Sequence, residues 1–387
     1  MEKYRKIIAR TTPIISLIQQ GVKPEDIKKG VIETLEPFFE NQEVLTALAV
    51  DFLIANAVVL ETIKQDAQFF EDFKKCLSAY RSAKDKQPQK CYESIALLES
   101  EIDRSVSKFW SVVHLEVDKS TLEIDEFLHE CLRNIGDSIE ELSKPYLKSL
   151  LLQLRLLRKE ENFSSKINAI DLGKIIDELI QKSNIAELFM PTPWKIRLNQ
   201  WRNIARHGTA KTVGEGIVCW YGVEPKITEV RLSRADLLKA VETMNMISMT
   251  LKLAYSIFTT DNVHEVRKHL KNIDQRPEAD FVAFVAGLAS QGFEIIEYSA
   301  NAKQANLKVK DHTNLDRTQR RIHASQLLFP LWYLTKSKSL VVEYLENDDS
   351  PNSEFSICSD ILEMFEADKI DLNEVIKNMR FVIQGKS

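Results

Sequence analysis

Residues 200–208 read QWRNIARHG and combine three side chains that suit chemistry on a phosphate group. Arg202 is a permanent cation whose planar guanidinium matches phosphate oxygens. Asn203 is an amide that can orient a neighbouring group by hydrogen bonding. His207 carries an imidazole whose ordinary pKa, about 6.5, suits it to moving protons near neutral pH. Because Asn203 and His207 are four positions apart, we expect them on one face of a helix.

Cleavage of RNA without a metal ion needs a base for the ribose 2′-hydroxyl, an acid for the leaving 5′-oxygen, and cations for the phosphate. His207 is the candidate proton carrier, Arg202 the candidate cation, and Asn203 a candidate orienting group. Arg202 lies about 140° around a helix from His207, so its long side chain must extend around the helix to approach the same phosphate. Cleavage needs two proton transfers, and the motif contains one histidine. We therefore predict that two copies of the chain meet at one phosphate.

Five basic residues and no acidic residue occur between Leu188 and Gly214. In a chain with a net charge of −5, this composition predicts a local positive field that attracts RNA. The alternative is an ordinary solvated helix face. The candidate RNA-binding residues, beside Arg202 itself, are Lys195, Arg197, Arg206 and Lys211.

The order Arg-Asn-x-x-x-His-Gly at 202–208, preceded by the helix-forming segment LGKIIDELI, resembles the HEPN superfamily of helical ribonucleases. The resemblance covers roughly residues 120–260. It implies a helical bundle, a homodimer formed through the motif helices, and cleavage that leaves 2′,3′-cyclic phosphate and 5′-hydroxyl ends. Arg202, Asn203 and His207 would form the catalytic set, without a metal or other cofactor.

The same resemblance implies a biological role as a toxin or an anti-phage (abortive infection) effector. An antitoxin or a regulatory trigger protein would then be a partner beside RNA. The alternative is a non-catalytic HEPN module that binds RNA or protein in a larger complex. Two positions depart from the family pattern. Thr209 stands where some members carry a tyrosine that is modified by AMP. Arg206 stands where many members have a small residue, and it is either a phosphate contact or a plain surface residue.

Three other patterns are weaker. Arg317 and His323 in DRTQRRIH repeat the Arg–His spacing without the amide and the glycine, and we interpret them as coincidence. The histidines of HEVRKH at 264–269 are five apart and diverge on a helix, which disfavours a metal site. A run of carboxylates in a predicted helix either supports the site or forms a solvated face, namely Asp137, Glu140 and Glu141.

The predicted fold class is mainly α, with 44% hydrophobic and 28% charged residues among 387, as in ordinary globular proteins. Apolar residues recur three or four apart through 1–118, which predicts an N-terminal helical region. Residues 119–260 are expected to form the HEPN-like helical domain, with a β-hairpin insert at 216–232. From 261 to 387, helix-like and strand-like runs alternate and predict a small α+β domain.

The segment around the motif carries signals for the two ends of its helix. Thr192 is a predicted N-cap, Pro193 the first helical residue, and Gly208 the C-terminal stop. Four residues are predicted to share the buried face, namely Trp194, Leu198, Trp201 and Ala205.

The chain has five cysteines, which are far apart and form no CxxC pair. This pattern predicts neither a disulfide framework nor a zinc site and fits a reducing compartment. The N-terminus lacks the apolar core of a signal peptide, and the most apolar run, 44–60, contains Asp51 and Asn56. We therefore expect a cytoplasmic protein without a membrane partner.

Overall fold

The computed structural model describes residues 2–9, 11–50, 52–113, 122–270, 277–347 and 353–383. This part of the chain is mainly α-helical, as predicted, and carries strands in two sheets. The helices are α1 (Glu2–Ala9), α2 (Thr12–Gln19), α3 (Pro24–Leu35), α4 (Gln42–Leu48), α5 (Ile54–Lys64), α6 (Ala67–Lys86), α7 (Pro88–Leu97), α8 (Glu99–Val113), α9 (Ile124–Asp137), α10 (Lys144–Leu157), α11 (Leu172–Lys182), α12 (Leu198–His207), α13 (Arg234–Asp261), α14 (Val263–Arg267), α15 (Pro277–Ser290), α16 (Arg317–Gln326), α17 (Leu328–Thr335), α18 (Ser359–Glu366) and α19 (Leu372–Asn378). The strands are β1 (Ala210–Val213), β2 (Gly216–Val223), β3 (Lys226–Leu232), β4 (Phe293–Ala300), β5 (Gln304–Asp311), β6 (Ser339–Leu345), β7 (Ser353–Cys358) and β8 (Arg380–Ile383).

Packing divides the chain into two compact units. Unit 1 comprises Met1–Pro37, Leu45–Ala55 and Asp274–Ser387, and unit 2 comprises Phe38–Val44 and Asn56–Ile273. The N-terminal helices therefore belong partly to unit 1 and partly to unit 2. The predicted boundary at 118/119 lies outside the described residues, and the three-domain division stays a prediction. Across the described ranges, no helix has both the length and the apolar character that crossing a membrane requires.

Unit 1 is built on a five-stranded sheet in the order β4-β5-β6-β7-β8. β5 and β6 are parallel and connected through α16 and α17, whereas the other neighbouring strands are antiparallel. Alternate residues of the central strands point to one buried face, where helices such as α15 and α17 cover them. The strand-like runs expected between 261 and 387 form β4 to β7. β8 was not predicted, because its four residues are mostly exposed and carry little periodicity.

Unit 2 is organised around α10, in which every residue from Pro145 to Leu156 is buried. A helix that is enclosed on all sides belongs in the centre of a bundle, and α6 and α13 pack against it. Before Pro145 the helix changes to a π-helical segment, Ser138–Ser143, between α9 and α10. Pro145 then lies in the first turn of α10, where its missing N–H costs little.

The remaining strands of unit 2 form a small antiparallel sheet in the order β1-β2-β3. The predicted hairpin is confirmed, since β2 ends at Val223 and β3 begins at Lys226. A capping box of Ser233 and Asp236 begins α13. β1 follows α12 directly and was not predicted.

The predicted start of the motif helix is wrong. Thr192 and Pro193 lie in turns, and α12 begins only at Leu198, with Arg197 as N-cap residue. The backbone before it is not helical, because Lys195 has a φ of +53° and Arg197 is extended. Buried Ile196 holds this irregular segment against the unit, which the helical period could not indicate.

The predicted buried face of the motif helix needs a corresponding correction. Trp194 precedes the helix, and Ala205 is only partly buried. The residues of α12 that are fully buried are Leu198, Trp201 and Ile204. The predicted end of the helix is confirmed, since Gly208 has the left-handed conformation, with a φ of +64°, at the C-cap.

Candidate functional site

The motif helix α12 is held by its apolar face and packs against α9, α11 and β2. Trp201 is completely buried, and its ring meets the Trp194 ring edge-on at a centroid distance of 5.5 Å. Gly136 allows α9 to approach closely. A Cβ atom there would lie 3.0 Å from Arg206 Nε and 3.4 Å from Ala205 Cβ. The buried residues of α12 therefore fix the position of its backbone, and its polar residues are not needed for this.

The polar residues of the motif lie away from this buried face. Arg202 and Asn203 are partly exposed, and His207 is exposed as the last residue of α12. Among the described residues, neither the Asn203 side chain nor the His207 side chain forms a hydrogen bond or an ion pair. A single subunit thus presents an imidazole at a helix end without a partner for its proton transfers.

Arg202 has one charged neighbour, Glu140 of the π-helical segment. Arg202 Nε lies 3.5 Å from Glu140 Oε2, with about a quarter of each side chain exposed, 26% and 28%. These two atoms are buried, and neither has a hydrogen-bond partner in the part of the chain that the structure describes. The other oxygen of Glu140 binds the ammonium group of Lys144. Glu140 therefore holds Arg202 loosely and leaves the terminal nitrogens of the guanidinium available.

The other two arginines near the motif are also paired with carboxylates. Arg206 Nη2 donates to Asp137 Oδ1 at 2.6 Å, and Arg197 binds Asp177 of α11. The positive field that the sequence indicated is therefore weaker in the folded chain, because acids from other helices lie beside three of its five cations. The remaining two, Lys195 and Lys211, are exposed and form no ion pair within the described ranges.

The spacing of the carboxylates matches that of the arginines, although the carboxylates lie far from the motif in the sequence. Asp137 and Glu140 are three positions apart, and Arg206 and Arg202 are four apart in the reverse order. Such reversed spacing is what two antiparallel helical segments require. Two of the three carboxylates noted in the sequence thus contact α12 instead of forming a solvated face. The third, Glu141, binds Lys108.

Arg317 and His323, the second pair with the Arg–His spacing, contact different partners. Arg317 Nε lies 3.3 Å from Glu346 Oε2, whereas His323 Nδ1 lies 3.2 Å from Arg320 Nη1. Burial lowers the pKa of His323, and the nearby Arg320 charge lowers it further. This imidazole therefore accepts a hydrogen bond inside unit 1 and is not presented at a helix end.

The histidines of HEVRKH do not converge either. His264 is exposed, and the ring of His269 stacks on Tyr92 at a centroid distance of 6.2 Å. Across the residues that the structure describes, no group of three or more His, Cys, Asp or Glu side chains is placed to hold a metal ion.

Comparisons with family models, with curated proteins and with solved structures gave no match for this chain. The resemblance to HEPN proteins therefore rests on the sequence of residues 202–208 and of the helix-forming segment that precedes them.

Proposed function

We propose that this chain is a metal-independent endoribonuclease of the HEPN type, acting as a toxin or an anti-phage defence effector. One observation carries the proposal. An arginine with available terminal nitrogens and an exposed histidine lie on one helix, whose buried face is anchored by Trp201. A rigid helix that presents such groups without internal partners is suited to a ligand, and the residue types are those that phosphodiester cleavage uses.

In this mechanism, two copies of the chain meet at one phosphate. His207 of one copy takes the proton of the ribose 2′-hydroxyl, and the 2′-oxygen attacks phosphorus. The bond from phosphorus to the 5′-oxygen breaks, and His207 of the other copy protonates the leaving oxygen. Arg202 stabilises the additional negative charge on the phosphate, and Asn203 orients the substrate or the imidazole. The products carry 2′,3′-cyclic phosphate and 5′-hydroxyl ends.

Glu140 has the role of a positioning residue in this scheme. Its carboxylate lies between Lys144 and Arg202, so it limits where the guanidinium can point. The π-helical winding of Ser138–Ser143 displaces Glu140 from the regular course of α9, and such segments often occur at functional sites.

The test uses the purified full chain, total RNA and EDTA. We expect fragments with cyclic phosphate ends, and we expect Arg202→Ala and His207→Ala to lower the rate by about 100-fold or more. His264→Ala is the matched control, because His264 is an exposed histidine of the same unit outside the motif. Cleavage by His207→Ala at the parental rate would refute the proposed base, and loss of cleavage with EDTA would refute a metal-independent mechanism.

A non-catalytic interaction module is the second candidate. The pairing of Arg197, Arg202 and Arg206 with carboxylates favours it, because such pairs also arise in a purely structural helix contact. This candidate predicts that the chain binds RNA or a protein without producing fragments. If cleavage requires a trigger protein, toxicity on expression that depends on His207 distinguishes the enzyme from the module.

A further inference from the structure

The strand β3 forms an open edge of the small sheet in unit 2. It pairs with β2 on one side, and it is the last strand of the sheet on the other. Five of its seven residues are exposed, including Ile227, which is 52% exposed. β3 contains neither a proline nor a bulge, two devices that commonly protect such edges.

The register shows which backbone groups point outwards. Val223 and Lys226 close a two-residue turn, so they form a hydrogen-bonded pair and the pairs alternate from there. The same alternation is seen on the other side of β2, where Trp220 N donates to Thr209 O at 2.8 Å. The residues whose N–H and C=O groups face away from β2 are therefore Ile227, Glu229 and Arg231. Within the described residues, no backbone group occupies that edge.

We propose that β3 pairs antiparallel with β3 of a second copy of this chain, across a two-fold axis at Val230. Outward-facing residues must pair with outward-facing residues, and the registers that pair at least two of them in each copy have their axis at Thr228, Glu229 or Val230. An axis at Glu229 sets two carboxylates against each other, which is destabilising. An axis at Thr228 sets Ile227 against Glu229 without any charge match.

The axis at Val230 is the one that the charges favour. It sets Glu229 of each copy opposite Arg231 of the other copy and forms about four backbone hydrogen bonds. The two side chains already attract each other within one copy, since Arg231 Nε donates to Glu229 Oε1 at 3.0 Å. The strand is therefore self-complementary in both backbone and charge, and the two sheets would join into one.

This surface is distinct from the motif-helix contact that the HEPN resemblance implies, and the inference does not rest on the proposed function. The two are nevertheless neighbours in the chain. Thr209 follows His207 by two residues and binds Trp220 through backbone and side chain, and Trp220 lies opposite Glu229. Pairing through β3 would bring the two chain segments that follow α12 into one continuous sheet.

The mass of the full chain in solution tests the proposal, measured by light scattering or sedimentation. We expect Glu229→Arg and Arg231→Glu each to weaken the β3 contact by at least tenfold, so that each variant has a lower average mass than the parent at the same concentration. A contact between motif helices would be unaffected by either change. An equimolar mixture of the two variants should regain the mass of the parent, because each like-charged pair becomes an unlike pair. Glu242→Arg, an equal charge reversal on an exposed residue of α13, is the control and should keep the mass of the parent.

The proposal is overturned if both variants keep the mass of the parent, or if their mixture does not regain it. A measurement on the parent alone guards against variants that fail to fold. In the proposed dimer the amide protons of Glu229 and Arg231 exchange slowly with solvent, and fast exchange of both would overturn the pairing. None of these measurements uses RNA cleavage, so they remain decisive if the chain proves to have no nuclease activity.

Discussion

Arginine occurs beside histidine on two helices of this chain, α12 in unit 2 and α16 in unit 1, and the surroundings of the two arginines differ. Arg320 of α16 is buried, and its guanidinium donates to Asp311 through Nε at 2.7 Å and through Nη2 at 3.0 Å. It also donates to Gln291 O at 2.9 Å and lies 3.9 Å from the Phe293 ring centroid. Within the part of the chain that the structure describes, Arg202 of α12 has one carboxylate neighbour, Glu140 at 3.5 Å, and remains partly exposed.

The difference shows why residue spacing alone does not identify a site. An arginine whose donors are all occupied contributes to the fold, whereas one with available donors at an exposed helix end can bind a phosphate. The acceptors that decide between these outcomes lie on other elements: Asp311 at the end of β5, and Glu140 in the π-helical segment.

The largest expected effect concerns stability. Arg320→Leu leaves the Asp311 carboxylate buried without its cation, which should destabilise unit 1 by about 3–5 kcal/mol. Arg202→Leu is the matched control and should cost below about 1 kcal/mol, because its ion pair is partly exposed. Hydrogen exchange of the β5 and β6 amides reports unit 1, and that of the α9 and α12 amides reports unit 2. Equal losses in the two variants would remove the distinction.

A smaller effect is expected on RNA cleavage and sharpens the role of Glu140. Glu140→Gln should lower kcat by roughly tenfold and leave KM nearly unchanged, since Arg202 would be less well positioned. Asp137→Asn is the matched control, because it weakens the neighbouring pair with Arg206, which lies outside the catalytic set. If the two variants have the same kcat, Glu140 is a structural residue only.

The smallest effect is a pH dependence in unit 1. The pKa of His323 is lowered by burial and by Arg320, so the unfolded chain binds a proton more readily than the folded chain. This contribution is complete above about pH 6.5 and is lost as the pH falls below it. We expect the stability of unit 1 to decrease less between pH 7 and pH 5 in His323→Gln than in the parent. Parallel curves for the two proteins would contradict this.

Much of the local structure was predictable because its causes are local. The β2–β3 hairpin, the capping box at Ser233 and the end of α12 at Gly208 follow from turn and cap residues in the sequence itself. The start of α12 was not predictable, because Thr192 and Pro193 give a helix-start signal and the irregular segment is held by burial of Ile196.

The candidate site was predictable in its residues and not in its electrostatics. Arg202, Asn203 and His207 were identified from their types and spacing, and all three lie on α12, with His207 as its last residue. The carboxylates beside Arg202 and Arg206 come from positions more than 60 residues earlier in the chain, and only packing on α12 brings them near. Their reversed spacing is visible in the sequence, but the sequence does not show that the two segments are neighbours.

The π-helical winding of Ser138–Ser143 makes this stretch tolerant of a change in length in a way that ordinary helix is not. Such a turn accommodates one residue more than a regular turn does, so deleting one of these six residues would restore the regular pitch. α9 and α10 would keep their rotation about the common axis, whereas a deletion inside a regular helix would rotate one part by about 100° against the other. A single deletion at this point would therefore spare the bundle and remove the local widening that places Glu140 opposite the guanidinium.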